Sequence, residues 1–538
     1  MTLCENEHAL LHAGTYHGLD CCSRSCQYER MFGTSRIPGR DSDWLQQSDS
    51  VHMAVAYKGS WWRVALLHVD KQPLSMLQIR AQLDYIIGSE TPAASKSATA
   101  IGDAGGLTAD VAALTALGRT RWAEIREDFF SQGINKISLN EIESAVFVLH
   151  LDDRSPQTLG ETAQLGLHGG GHSWWCDKSF NVVVFQNGKA AMHIEHSWAD
   201  APVMAHAWEW VFAQENLADC YDSLGELKEL VQPVCAPESP NLSSRATSVA
   251  SAACSADSLY PVELQGAMAQ PIRLEWELTG KLGQAVFEAA QAAHALCKDV
   301  DLVVEEVGCD TLIPVGNAQF LGYGKGFVKR QGCGPDAWIQ MALQLAYFRD
   351  QGRLDLTYES AAVRLFNEGR TETIRSASMR SKELVRLMED TTATSAQKAE
   401  AIRTACFQHQ KTARDASSGH GVDRHLFALY VAHAWAGEPP KFLKDALSMP
   451  FKLSTSQIPQ RQTEFTIKPF GKSPMLSPSG GFGPVSDEGY GVSYMMADDE
   501  RTFFHVSSKH SCATTDSSRF LSHIKVALHD LRAAFLES

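Results

Sequence analysis

The sequence contains no run of about 18 uncharged apolar residues, the length that a membrane-spanning helix requires. Residues 1–30 also lack the basic segment followed by an apolar segment that marks a secretory signal peptide. On both counts we expect the chain as it stands to be soluble.

Positive charge is in short supply, since 48 Lys and Arg residues face 63 Asp and Glu residues and the net charge is -15. Nonspecific binding to nucleic acid or to anionic membranes needs a surplus of Lys and Arg, so this balance argues against both kinds of partner. An anionic substrate must therefore meet a local cluster of basic residues.

The thirteen cysteines are odd in number and include no CxxC pair, which excludes an evident disulfide framework or zinc ribbon. A reducing compartment is the default expectation. Cys21, Cys22 and Cys26 lie close enough in sequence to suggest a metal site, but a poorly ordered terminus with free thiols explains them more simply. We predict no metal centre.

With 538 residues and 44% hydrophobic composition, the chain can bury a sizeable core and divide into lobes. Small and polar residues crowd segments 89–108 and 235–258, which favours surface loops or flexible insertions there. We predict a disordered or foreign segment at 1–27, a partial first lobe at 28–272 and a second lobe at 273–538.

Two hairpins are predicted in the first lobe. Residues 182–186 and 189–194 flank Asn187-Gly188, a strong hairpin signal because both turn positions tolerate positive φ. Residues 51–57 and 61–68 alternate in the same manner. Both patterns indicate antiparallel strands.

Helical periodicity dominates the second half of the sequence. Apolar residues recur at steps of three and four from Leu282 to Leu296, from Ile339 to Tyr347 after Pro335-Asp336, and from Leu521 to Phe535. We expect these stripes to be core and not cofactor contacts.

A histidine and a carboxylate, His196 and Asp200, stand four residues apart directly after the predicted strand 189–194. Pro202 then opens a periodic apolar run, as proline does in the first turn of a helix. The pair suits a general base with an orienting partner. On spacing alone, however, a hydrogen-bonded histidine in the core is the more common explanation.

Several further segments resemble the carnitine/choline acyltransferase family, and in particular its mitochondrial palmitoyl-transferring members of type one. They are residues 28–39, 323–330, 334–337, 356–360, 368–373, 453–457 and 482–485. The resemblance spans roughly 28–534. It implies an α/β fold of two lobes like chloramphenicol acetyltransferase, with mixed sheets covered by helices and the histidine at the interface between the lobes.

The activity implied by the resemblance is reversible transfer of a fatty acyl group between coenzyme A and the carnitine hydroxyl. His196 would be the general base, since imidazole is the natural base near neutral pH. Ser456 would donate to the developing oxyanion. Asp200 would hold the ring, or would serve only as a charge at a helix N-terminus worth about 0.3–1 kcal/mol.

The resemblance also assigns the coenzyme A site. Lys325 and Lys329 would face the ribose phosphate, Asp336 the adenine side, and Gln457 the neighbourhood of the coenzyme. Coenzyme A is then a co-substrate, with no tightly bound cofactor. One departure stands out, because the family usually has Ser or Thr where this chain has Gly334.

Carnitine recognition needs an arginine and hydroxyl donors for its carboxylate. Tyr358, Ser360, Thr371, Arg424 and Ser454 match carnitine-contacting positions of the family. The presence of both the arginine and the threonine favours carnitine over choline. Taken singly, a structural salt bridge of Arg424 with Asp423 or a neighbouring acid, and a buried aromatic Tyr358 with a satisfied hydroxyl, are the more common explanations.

Gly480 stands where short-chain members carry a bulky side chain, which predicts an open acyl tunnel and long or medium acyl chains. The alternatives are a medium-chain, octanoyl-type enzyme and a non-catalytic protein that binds acyl-CoA or malonyl-CoA. Family members are membrane-anchored at the cytosolic face of the mitochondrial outer membrane. They are also considerably longer, which leaves open a truncated gene model, a fragment or a reduced variant.

Overall fold

The computed structural model describes residues 27–68, 70–89, 106–218, 270–309, 312–315, 318–363, 365–458 and 479–536. The predictions for residues 1–26, which include the three clustered cysteines, and for 235–258 lie outside these ranges. None of the helices in the described ranges has the length and apolarity to cross a membrane.

The first lobe is built on a mixed sheet of six strands in the order β7-β6-β5-β3-β4-β8. β3 and β6 run parallel to β5, which lies between them, and the other pairs are antiparallel. The strands are β3 (His52–Tyr57), β4 (Ser60–Ala65), β5 (Val148–Asp152), β6 (Phe180–Phe185), β7 (Ala190–Ile194) and β8 (Ile272–Leu274).

The second lobe is built on another mixed sheet of six strands in the order β13-β12-β14-β15-β16-β9. β14 is parallel to both of its neighbours, and the other pairs are antiparallel. The strands are β9 (Val300–Gly308), β12 (Thr357–Ala362), β13 (Thr371–Arg375), β14 (Leu453–Gln457), β15 (Tyr490–Met496) and β16 (Arg501–Lys509).

Two small hairpins and the helices complete the described structure. The hairpins pair β1 (Thr34–Ile37) with β2 (Trp44–Gln47) and β10 (Leu312–Val315) with β11 (Ala318–Leu321). The first seven helices are α1 (Met76–Ser89), α2 (Gly106–Asp110), α3 (Arg119–Phe129), α4 (Gly133–Ser144), α5 (Leu159–His168), α6 (Ala201–Ala218) and α7 (Gly280–Asp299). The others are α8 (Lys325–Arg330), α9 (Pro335–Gln351), α10 (Met379–Glu389), α11 (Ser395–Ser417), α12 (Val422–Ala436), α13 (Lys441–Ser448) and α14 (Ser517–Leu536). Mixed sheets covered by helices confirm the predicted two-lobed α/β class.

The predicted helical stripes are core, with one exception. α7 buries Leu282 and Val286 in the same cluster as Trp61 and Trp175 of the first lobe. Leu296 is 59% exposed, because the last turns of α7 extend beyond that core. β8 and α7 therefore pack on the first sheet although they lie beyond residue 272, and the chain enters the second sheet only at β9.

α9 is buried on every side over residues 337–347 and not along one stripe only. It lies between the second sheet and helices α11 and α14. Its two internal glutamines bind the sheet, since Gln340 donates to Thr455 Oγ1 at 2.9 Å and Gln344 to Thr357 Oγ1 at 3.1 Å. These bonds connect the helix to the strands that carry the candidate site.

Both predicted hairpins form. The turn with two positive-φ residues, expected at Asn187-Gly188, is found instead between β3 and β4. Asn187 does not have positive φ, and Gly188 alone has φ 78° in a loop closed by Phe185 N–H donating to Lys189 O at 2.9 Å. Lys58 and Gly59, with φ 46° and 80°, form the two-residue turn between β3 and β4. The prediction of two positive-φ residues at 187–188 was wrong, because the added residue in the loop supplies the twist.

Candidate active site

His196 lies in the short connection between β7 and α6, and its side chain is 74% exposed. A histidine satisfied inside the core is therefore excluded. The connection is anchored to the first lobe by Glu195, which accepts from Arg36 Nη1 at 3.2 Å and from Ser197 N–H at 2.9 Å. His196 thus stands in solvent on a backbone that is held in place.

Arg370, the residue directly before β13 of the second lobe, hydrogen-bonds to this connection. Its guanidinium donates to Asp200 Oδ1 at 2.9 and 3.2 Å. It also donates to three backbone carbonyls, those of His196 at 2.5 Å, Ser197 at 2.7 Å and Ala199 at 2.9 Å. Hydrogen bonds from a cation are stronger than neutral ones, so this one side chain fixes the shape of the whole connection.

The histidine ring also contacts Arg370, with Nη2 at 2.9 Å from His196 Nδ1. Because a guanidinium can only donate, Nδ1 accepts in this arrangement and the ring proton of the neutral imidazole is on Nε2. Asp200 Oδ1 is 3.9 Å from Nδ1, beyond hydrogen-bonding distance. Asp200 therefore acts on the ring through Arg370, and a base acting through Nε2 needs the opposite tautomer.

Three of the residues predicted to contact carnitine meet next to Asp200. Arg424 donates from Nε to the Thr371 carbonyl at 2.9 Å and from Nη2 to Thr371 Oγ1 at 3.4 Å. The Tyr358 hydroxyl hydrogen-bonds with Thr371, and burial raises the pKa of Tyr358. Electrostatic contact between Tyr358 and Asp200 links this group to the His196 connection.

The structural alternative for Arg424 is wrong. Asp423 pairs with Arg375 instead, at 2.9 and 3.0 Å, and so does not engage its neighbour. The start of α12 is held by Glu372, which accepts from the Arg424 backbone N–H. The Arg424 guanidinium is thereby positioned over Thr371 and remains exposed.

The paired hydroxyls of β14 lie on the same face of the second sheet as Tyr358. Tyr358 is directly opposite Ser454 in the β12–β14 ladder, so Ser360 and Ser456, two residues along each strand, share that face. Ser456 is opposite Ser493, whose hydroxyl donates to the Gly480 carbonyl at 2.7 Å. Gly480 is exposed, and among the described residues a Cβ built on it meets no atom within 4 Å.

The predicted coenzyme lysines lie near the turn between β15 and β16. Lys325 donates to the Met496 carbonyl at 3.2 Å, and Lys329 pairs with Asp499 at 3.2 Å. Both partners of the second pair are more than half exposed, so solvent weakens it and an anionic ligand can displace Asp499. Gly324 permits this close packing, because a Cβ there would come within 2.4 Å of the Glu500 backbone.

Asp336 belongs to a network of polar side chains between α9, β12 and α11. Its carboxylate accepts from the Tyr494 hydroxyl at 2.6 Å, and His409 Nε2 lies 2.9 Å from Glu359 Oε2 and 3.7 Å from Asp336 Oδ2. Burial alone would lower the pKa of His409, but the two carboxylates raise it to about 9. Gln457 is opposite Tyr494 in the ladder and so shares this face of the sheet, away from the serines.

The same three side chains are close enough for a divalent cation, with ligand atoms within 4.8 Å of one another. The two carboxylates favour the protonated form of His409, and a metal would have to displace that proton before the imidazole could ligate it.

Gly334 is the residue before α9 and offers no side-chain cap. A Cβ at this position would come within 1.9 Å of Gln410 Nε2 on α11. The departure from the Ser or Thr of the family thus coincides with close packing of the loop against α11.

Sequence reasoning missed Arg370, Glu359 and His409. Arg370 and Glu359 lie inside segments 368–373 and 356–360, each directly beside a predicted carnitine residue, so their position in these motifs was an available signal. His409 offered none, because its partners lie 50 and 73 positions away in the sequence.

A family model described as choline/carnitine O-acyltransferase matches residues 7–526. The chain is 39% identical over 523 residues to the muscle isoform of carnitine O-palmitoyltransferase 1 from Sus scrofa, covering 95% of this chain and 60% of that protein. The liver isoform from Homo sapiens is 37% identical with the same coverage. Human carnitine O-acetyltransferase is 28% identical, covering 94% of this chain and 71% of that protein.

The chain spans about 60% of the length of the palmitoyltransferases it matches. Among solved structures, the wax ester synthase/diacylglycerol acyltransferase from Marinobacter aquaeolei VT8 aligns with a TM-score of 0.32 and 10% identity, covering 72% of this chain and 79% of that one. Likeness at that level carries no argument. The family model matches nearly the whole chain, and the chain belongs to the choline/carnitine O-acyltransferase family.

Proposed function

We propose that this chain carries a carnitine O-acyltransferase site that moves long-chain fatty acyl groups, of the palmitoyl type, between coenzyme A and the carnitine hydroxyl. The observation that supports it most directly is the exposed His196 beside the group formed by Tyr358, Thr371 and Arg424. His196 lies 3.9 Å from Asp200, and Asp200 in turn influences Tyr358, which also interacts with Arg424. Carnitine carries both a hydroxyl for such a base and a carboxylate for such a guanidinium.

Carnitine binds with its carboxylate on the Arg424 guanidinium and on the hydroxyls of Tyr358 and Thr371. Ser454 and Ser360, on the same face of the sheet, add hydroxyl donors. Arg424 is exposed, and within the described part of the chain its guanidinium hydrogen-bonds to Thr371 and forms no ion pair, so a carboxylate can bind it without displacing an acid.

The reaction begins when His196 Nε2 removes the proton of the carnitine hydroxyl. The oxygen attacks the thioester carbonyl and forms a tetrahedral intermediate, whose negative oxygen accepts from the Ser456 hydroxyl. Collapse of the intermediate breaks the C–S bond, and His196 returns the proton to the departing thiolate. Atoms and charges balance without a covalent acyl-enzyme.

His196 must present an unprotonated Nε2 for this reaction, so its ring proton must be on Nδ1. We infer that the ring turns away from Arg370 when carnitine binds, while Arg370 keeps its bonds to Asp200 and to the carbonyls. Asp200 then supplies the negative charge that favours the imidazolium as it forms. Arg370 positions the connection and is not itself the base.

Acyl-CoA binds as a co-substrate with its ribose phosphate on Lys325 and Lys329. Displacing Asp499 from Lys329 costs little, since the pair is exposed. Asp336 and Gln457, which share the opposite face of the sheet from the serines, would meet the coenzyme beyond the strand ends. The pantetheine arm would pass from there toward Ser456.

The absence of a side chain at Gly480, an exposed glycine with no atom within 4 Å of a built Cβ among the described residues, supports a long acyl chain. A medium-chain, octanoyl-type enzyme is the alternative within the family, and a non-catalytic protein that binds acyl-CoA or malonyl-CoA is the alternative outside enzymes. The likeness to carnitine O-palmitoyltransferases supports a role in fatty acid entry into mitochondria, at the cytosolic face of the outer membrane.

The test is release of free coenzyme A thiol from palmitoyl-CoA and L-carnitine by the purified chain. His196→Ala should lower the rate about 10²–10⁴-fold, the usual contribution of a general base. His510→Ala, at an exposed position at the end of β16, is the matched control and should leave the rate unchanged.

Two results separate the alternatives. A higher rate with octanoyl-CoA than with palmitoyl-CoA supports the medium-chain enzyme. Absence of thiol release from a folded sample with either substrate contradicts the enzyme proposal, and retained acyl-CoA binding in that sample supports the non-catalytic protein.

A further inference from the structure

Two thiols meet where the loop before α9 packs against α11. The Cys333 and Cys406 side chains are within hydrogen-bonding reach of each other, and both belong to the buried core of the second lobe. Neither residue takes part in the chemistry proposed above. Both are free thiols in this structure.

The same two segments touch at three places. Cys333 faces Cys406, Gly334 comes so close to Gln410 that a Cβ would meet its Nε2 at 1.9 Å, and Asp336 faces His409 at 3.7 Å. All three contacts fall within residues 333–336 of the loop and 406–410 of α11. The loop is therefore packed against α11, which holds the two thiols near each other.

The surroundings shift the pKa values of the two thiols in opposite directions. The hydrogen bond from Cys406 lowers the pKa of Cys333 against the effect of burial, and Arg403 acts in the same direction. The contact with Cys333, together with burial, raises the pKa of Cys406 well above its usual value. A pair with one more acidic thiol and one proton-holding neighbour suits stepwise oxidation, because the thiolate is the nucleophile.

We propose that Cys333 and Cys406 form a reversible disulfide when the protein meets hydrogen peroxide, which makes the pair a modification site. The Cys333 thiolate attacks one peroxide oxygen, forming a sulfenic acid and releasing hydroxide. The Cys406 sulfur then attacks the sulfenic sulfur, forms the S–S bond and releases water. Two electrons leave the thiols and reduce one peroxide, and a dithiol reductant reverses the change.

Cys333 and Cys406 are buried, with 6% and 1% of their surface exposed, but Cys333 follows Gly332, which is exposed. An oxidant therefore needs only a local movement of this loop to reach Cys333. A disulfide needs its two Cβ atoms about 3.5–4.5 Å apart, which requires the two side chains to remain neighbours.

The disulfide would tie the loop between Lys329 and Asp336 to α11. This consequence rests on the proposed function, because those two residues belong to the proposed coenzyme site. A fixed loop can no longer adjust around an acyl-CoA, so we expect weaker binding of palmitoyl-CoA by the oxidised chain.

The experiment treats the full chain with hydrogen peroxide, blocks the remaining thiols by alkylation and maps disulfides by mass spectrometry. The expected product is one peptide pair linked through Cys333 and Cys406, absent in Cys333→Ser and in Cys406→Ala, and lost on treatment with dithiothreitol. Cys309→Ser, which removes an exposed thiol, is the control and should leave the linkage intact.

Linkage through other cysteines, or conversion of Cys333 to a sulfinic acid without any linkage to Cys406, overturns the proposal. The mapping needs no enzyme activity, so it stands or fails separately from the proposed function. If circular dichroism shows that a variant is unfolded, the rates at which Cys333 and Cys406 of the original chain are alkylated are measured instead. Cys333 must react faster than Cys406. Equal rates contradict the proposal that Cys333 is oxidised first.

The effect on binding is measured by titration of palmitoyl-CoA against the oxidised and the reduced chain. Weaker binding after oxidation that is absent in Cys333→Ser supports the predicted consequence. Equal binding of palmitoyl-CoA by the oxidised and the reduced chain contradicts the expected effect of the disulfide on the coenzyme site.

Discussion

Arg370 and Asp200 join the two lobes across 170 positions of sequence, through hydrogen bonds of 2.9 and 3.2 Å. The same guanidinium binds the carbonyl of His196 and touches its ring. The position of the proposed base is therefore set by a residue of the opposite lobe. A movement of one lobe relative to the other would therefore displace His196.

Arg370→Lys should lower kcat about 10–100-fold, because lysine cannot hold a carboxylate and three carbonyls at once, and small misplacements of reacting groups are costly. The measurement is thiol release from palmitoyl-CoA with L-carnitine. Asp200→Asn should add little to the loss in the double variant, since both changes break the same contact.

Arg380→Lys is the control for this prediction, because Arg380 is exposed on α10. Full activity of Arg370→Lys with an unchanged unfolding midpoint would show that the contact between Arg370 and Asp200 does not position His196.

Stability should fall as pH rises from neutral to mildly alkaline values. The pKa of His409 is raised to about 9 and that of Glu359, by burial first and by Asp336, to about 8. A group whose pKa is higher in the folded than in the unfolded state stabilises the fold at low pH, and this contribution is lost as pH rises through the folded value. For His409 that interval runs from 6.5 to about 9.

Urea unfolding at a series of pH values measures this effect. The free energy of unfolding should decline by at most about 1.4 kcal/mol per pH unit for each proton involved. His409→Gln should flatten the decline, and the double variant with Glu359→Gln should flatten it further. An equally steep decline in the double variant would assign the effect to other groups.

Gly334→Ser tests whether close packing explains the glycine. The serine gains a cap for α9, worth a few tenths of a kcal/mol over glycine, but must push aside Gln410. Because the obstructing atom ends a flexible side chain, we expect the free energy of unfolding to change by less than about 1 kcal/mol. Serine should be more favourable in a Gln410→Ala background than in the original chain, and additive effects would contradict the predicted clash.

Gly480→Met should shift acyl preference toward shorter chains. The space around Gly480 is open and its φ is not positive, so the fold should tolerate the side chain. We expect kcat/KM for palmitoyl-CoA to fall at least about tenfold while that for a short acyl-CoA is retained, since filling a pocket rejects the larger substrate.

Gly88→Met on α1, where a new side chain also meets no atom, is the matched control and should change neither rate. A uniform loss of activity across all acyl lengths in Gly480→Met would contradict the tunnel assignment.

Local patterns carried the prediction a considerable way. The alternation of Ser454 and Ser456 placed both on one face of β14, and the run after Pro335 predicted α9, because both depend on periods readable within a few residues. The Asn187-Gly188 signal gave the right hairpin and the wrong turn, since loop length is set by the pairing register. Leu296 belongs to the apolar stripe of α7 but is exposed, unlike the other residues of that stripe.

By itself the sequence determined the family, the order of strands and helices that can be read from local periods, and which residue types were available for acyl transfer. Only the tertiary structure decided that Arg370 stands between His196 and Asp200, that Glu359 and Asp336 share a buried imidazolium, and that two thiols meet. Hydrogen bonds and ion pairs act over a few ångströms in space whatever the separation in sequence. Such contacts therefore leave no periodic pattern in the sequence from which they could be predicted.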